Sequence, residues 1–82
     1  MKGIIQVSGK KLTTTLRNII FDTCKSICPS CIVIQESRKF LHISCKELPD
    51  VDTLKKALQS SVKFNISVKT EHFANVIFVQ IS

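Results

Sequence analysis

CIVIQESRKFLHISC, residues 31–45, decides the fold. It opens on the dense β-branched run Ile32-Val33-Ile34, and such residues favour a pleated strand. The short charged stretch Ser37-Arg38-Lys39 reads as a turn, and a second strand follows from Phe40 to Cys45. The spacing predicts a hairpin with strands over residues 31–36 and 40–45.

Helices flank that hairpin on both sides. Upstream, Leu12, Leu16, Ile19, Ile20, Cys24 and Ile27 recur at helical spacing, predicting a helix over residues 10–27. Ser8 and Thr13 are its candidate N-caps. The run Thr13-Thr14-Thr15 is stiff for a helix, but the apolar stripe outweighs it. Pro29 disfavours helix at Cys28, which stops it near Ile27. Downstream, Leu48-Pro49-Asp50 announces a second helix. Asp50 is a good N-cap, and Asp52 suits the positive end of the helix dipole. Val51, Leu54, Ala57, Leu58 and Val62 give its buried face, while Lys55 and Lys56 lie on the polar side.

Further out, Ile4, Ile5 and Val7 suggest a first strand. A fourth is expected over residues 63–69, where Phe64, Ile66 and Val68 alternate with polar residues. Residues 70–75 read as a loop, and the apolar residues 76–81 as a last strand. The order β-α-β-β-α-β-β implies an α+β fold. It is a ferredoxin-like β-α-β-β-α-β sandwich with one additional C-terminal strand, both helices covering one face of a mainly antiparallel sheet. The other face is then open, as in sheets that bind RNA or protein. A chain of 82 residues reads as a single domain, residues 1–82.

Composition narrows the function. Twelve Lys and Arg against six Asp and Glu give a net charge of +6, with a pI near 9.4. That balance is a footprint of nucleic-acid binding. Only Arg17 and Arg38 are arginines. Lysine meets phosphate as a point charge, so contact with the backbone is expected to outweigh base reading. No apolar run approaches the roughly 18 residues of a membrane span, and the first residues turn polar too quickly for a signal peptide. An intracellular location, cytoplasm or nucleus, is the default expectation, with no membrane partner.

Ser8-Gly9-Lys10-Lys11 is the sharpest functional motif. Read at a helix start, two cations are unfavourable to the dipole, yet with free N–H groups they make an anion site. A phosphate loop of the NTPase type is excluded. Gly3 lies one residue too far from Gly9, and Lys11 stands where the hydroxyl belongs. The strand–Gly-Lys-Lys–helix opening, about residues 4–20, is similar to that of the Alba family of small nucleic-acid-binding proteins. The resemblance implies that Lys10 and Lys11 meet nucleic acid. The Alba order is β-α-β-α-β-β, and the strand at 40–45 departs from it.

Four cysteines carry the remaining chemistry. Cys28-Pro29-Ser30-Cys31 has the C-x-x-C form, but Cys28 follows a helix C-terminus, where the dipole raises a thiol pKa and disfavours redox catalysis. Cys28, Cys31, His42 and Cys45 form a zinc-like string, C-x2-C-x10-H-x2-C. Strand alternation sets residues 42 and 45 on opposite faces, so that string needs a bulge, or Cys24 in place of His42. Buried thiols acting as small hydrophobes are the plainer expectation. No cofactor and no metal is assigned. His42 and His72 have no triad partners by spacing, and no carboxylate pair is set up for acid–base work, so no enzyme is expected.

Phe40 and His42 share a strand face and can stack bases, though the glycines and further aromatics of an RNA-recognition motif are absent. Two functions follow. One is a phosphate-contacting nucleic-acid module, for RNA or duplex DNA, using Lys10, Lys11 and Arg17 with Arg38 and Lys39 at the hairpin tip. The alternative is an assembly subunit that self-associates or extends a sheet with a protein partner through Val76 and Phe78 of the last strand.

Overall fold

The structure, a computed structural model, describes residues 2–62 and 68–82. Its elements are β1 (Gly3–Gly9), α1 (Thr14–Ile27), β2 (Ile32–Glu36), β3 (Phe40–Cys45), α2 (Val51–Ser61), β4 (Val68–Phe73) and β5 (Val76–Ile81). They make an α+β fold with two helices and one five-stranded mixed sheet of order β2-β3-β1-β5-β4.

Strand alternation builds the core. Ile5 and Val7 of β1 sit beside Ile43 and Leu41 of β3 on one flank and Ile77 and Val79 of β5 on the other. All six are buried, and they join Ile20 and Cys24 of α1 and Leu54 and Leu58 of α2 in one cluster. Both helices therefore cover the same face. The intervening residues, Gln6, Ser8, Phe40, His42, Phe78 and Gln80, form the opposite face and remain exposed or half-buried.

α1 begins four residues later than the expected residue 10. Thr13 caps it, its hydroxyl accepting from Leu16 N at 3.2 Å. Residues 10–12 are held elsewhere. Gly9 N donates to Lys39 O at 3.0 Å and Leu12 N to Arg38 O at 2.6 Å, tying this stretch to the β2–β3 turn. Lys10 and Lys11 thus precede the helix rather than opening it. The C-terminal end is as expected, at Ile27 with Cys28 as C-cap. Asp50 caps α2, accepting from Thr53 N at 3.2 Å.

The C-terminal hairpin departs most from the sequence reading. Residues 70–75 are not a loop, because β4 runs through Phe73 and turns at Ala74 and Asn75. Residues 63–67 of the expected fourth strand lie outside the described residues. β4 pairs antiparallel with β5, and β5 pairs parallel with β1. A strand between two partners has no free edge, so β5 cannot extend a sheet as expected for Val76 and Phe78. Among the described residues, the edges are β2 and β4.

Candidate nucleic-acid interface

The chain gathers its expected phosphate ligands at one end of the sheet. Where β1 finishes at Gly9, the β2–β3 turn presents Arg38 and Lys39, and the two backbone bonds described above lock these segments together. Lys11, Arg17 and Arg38 line a recess of about 400 Å³ with Thr13 and Thr14. Lys10 and Lys39 line a neighbouring one of about 520 Å³. A smaller recess includes both Lys10 and Lys11 and links the two. Among the described residues no Asp or Glu side chain lines any of the three. Five cations thus line adjoining recesses in which, among the described residues, no Asp or Glu side chain takes part; Ser82 shares two of them.

The five are not equivalent. Lys10, Lys11, Arg38 and Lys39 are exposed. Arg17 is half-buried and already engaged. Its Nη1 donates to Leu12 O at 2.9 Å and Ser37 O at 2.7 Å, and its Nη2 to Thr14 Oγ1 at 3.2 Å. A guanidinium has five N–H donors, so two remain for a ligand. Arg17 holds the recess together first and offers charge second. Ser37 shapes the turn, its hydroxyl accepting from Lys39 N and Phe40 N.

The open sheet face adjoins this end. Phe40 and His42 stack there with ring centroids 4.9 Å apart. Gln6 lies between His42 and Phe78 in the ladder, and Phe78 is 43 % exposed. Phe73, 72 % exposed, pairs with Val76 on the same face. Sequence reasoning paired only Phe40 with His42. Phe78 and Phe73 join them through the β1–β5 and β5–β4 registers, which no local pattern encodes.

A second constellation lies at the other end of β3. The sulfurs of Cys28, Cys31 and Cys45 are all within 4.8 Å of one another. Cys31 Sγ and Cys45 Sγ are 3.0 Å apart. Cys28 Sγ lies 3.3 Å from Ser30 Oγ and donates to Glu47 O at 3.0 Å. His42 takes no part, because it points to the opposite face. Burial, with smaller contributions from neighbouring thiols, pushes the Cys24 thiol up to about 12. Burial likewise raises Cys31, and it raises Cys45 to about 11. At Cys28 burial acts upward too, but hydrogen bonds from Ser30, Cys31, Cys45 and the Glu47 backbone together outweigh it and lower the pKa. The C-x-x-C spacing with Cys45 was the available signal for this cluster. Its convergence depends on how α1 meets the β3 end.

No protein-family model matches the chain, and no match is found among curated proteins or solved structures.

Proposed function

We propose that this protein is a small, non-catalytic nucleic-acid-binding module that grips the phosphate backbone of RNA or duplex DNA at the basic end of its sheet. One observation carries the proposal: Lys10, Lys11, Arg17, Arg38 and Lys39 line adjoining recesses that, among the described residues, hold no Asp or Glu side chain. Phosphate contacts of this kind supply affinity with little sequence information. On this reading the scaffold is a ferredoxin-like unit with one additional C-terminal strand, β5, set between β1 and β4, and its open face is free to lie against the ligand.

The test is an electrophoretic shift panel of duplex DNA, structured RNA and single strand at two salt concentrations. Binding is expected at low salt and falls about 100-fold between about 50 and 200 mM, as four exposed cations on phosphates imply. Lys10→Glu/Lys11→Glu weakens every ligand alike, with the fold intact by circular dichroism. Absence of binding to all three ligands at low salt ends the proposal.

A second reading, self-assembly through the sheet, is favoured by one edge. β2 is paired on one side only, and Ile32, Val33 and Ile34 are 59 %, 36 % and 51 % exposed. Apolar unpaired edges invite strand addition. On this reading a second copy pairs along β2, so Ile34→Lys abolishes a dimer seen by sedimentation while Phe78→Lys leaves it. A strictly monomeric protein at high concentration removes this reading.

A further inference from the structure

Three thiols converge where α1 ends, β2 begins and β3 finishes. Cys28 is the C-cap of α1, Cys31 precedes β2, and Cys45 closes β3. All three are buried, and none is in a disulfide. A disulfide needs two sulfurs, and the third here is positioned by contacts of its own. Ser30 Oγ lies 3.3 Å from Cys28 Sγ and accepts from Lys46 N, also at 3.3 Å. Polar groups that orient a ligand atom in this way are a regular part of metal sites.

Spacing and charge agree. Zn–S bonds of about 2.3 Å in tetrahedral geometry place sulfurs about 3.8 Å apart. The cluster, spanning at most 4.8 Å, needs only a small opening between Cys31 and Cys45. Access is provided by a recess of about 430 Å³ that Cys31 lines together with Lys2, Lys25 and Lys46. Three thiolates around a dication carry a net negative charge, which these lysines offset. The geometry points to a trithiolate site for a single thiophilic d10 ion, Zn(II) or Cu(I), held by Cys28, Cys31 and Cys45. Thiolate donors select these ions. Cu(I) is satisfied by three sulfurs, whereas Zn(II) takes a fourth ligand from the recess.

The full chain, reduced and freed of metal, is titrated with Zn(II) and, without oxygen, with Cu(I), each against a chromophoric chelator. One equivalent binds, and three thiols lose their reactivity toward a disulfide reagent. X-ray absorption of each loaded form counts the ligands: three sulfurs for a trigonal site, three sulfurs and one lighter donor for a four-coordinate one. Cys28→Ser, at the rim of the cluster, weakens binding at least about tenfold, and Ser30→Ala, which keeps every sulfur, weakens it by about tenfold. His42→Ala leaves it unchanged. Uptake below about 0.1 equivalent of both ions overturns the proposal. So does binding that survives Cys28→Ser undiminished, which would reduce the cluster to the Cys31–Cys45 pair.

Discussion

Arg17 joins three segments with one guanidinium: the approach to α1, its first turn and the β2–β3 turn. Hydrogen bonds from a charged donor contribute about 1.5–3 kcal/mol, so Arg17→Gln should lower stability by that order, read from the urea midpoint. Lysine cannot substitute, because a point charge does not reproduce the fork. Gly3 is fixed by space. A Cβ there would collide with Asn75 O and the Leu48 side chain, so Gly3→Ala is expected to destabilise by about 1–3 kcal/mol. Cys24 makes stability depend on alkaline pH. Its folded pKa of about 12 stands above the ordinary 9.0. From pH 9 upward the unfolded chain releases this proton while the folded chain retains it, so stability falls as pH rises, by up to about 1.4 kcal/mol per unit. Cys24→Ala, though less stable overall, should show a shallower decline in urea melts between pH 8 and 10.5.

The β4–β5 hairpin turns through Ala74, whose φ of 56° is left-handed and strained for a residue with a Cβ. Ala74→Gly removes that strain and adds some chain entropy on unfolding. A net gain of about 0.5–1 kcal/mol is expected in thermal melts. This hairpin also marks where sequence reading reached its limit. β2, α2, β5 and the end of α1 were legible because a β-branched run, a helical stripe with an aspartate cap, an apolar run and a proline act locally. The start of α1 was not, because Leu12 and Gly9 take their hydrogen-bond partners from a turn some thirty residues away. The reach of β4 through polar Thr70, Glu71 and His72 follows from its pairing with β5, not from its own pattern. The five basic residues were legible as charges. That they share one surface, and that Arg17 is mostly architectural, came from the contacts.

At the scale of the molecule the two proposed sites stand at opposite ends of one strand. β3 begins at Phe40, beside Lys39, and ends in Cys45, five residues later, a span of about 17 Å at the usual strand rise. That exceeds the screening length of about 8 Å at physiological salt, so charge at one end is weakly felt at the other. Lys10→Glu/Lys11→Glu should leave metal affinity unchanged, and metal should leave the salt dependence of nucleic-acid binding unchanged. A shift of either by more than about threefold would show that the ends communicate. The parallel pairing of β1 with β5 has a consequence in time. Ile4 finds its partner in Val76, across almost the whole chain. Contacts that distant form late. During synthesis the strand that becomes the middle of the sheet carries one bare flank until Val76–Ile81 leave the ribosome. The pace of synthesis through β5 then sets how long a nascent chain remains open to pairing with the wrong neighbour.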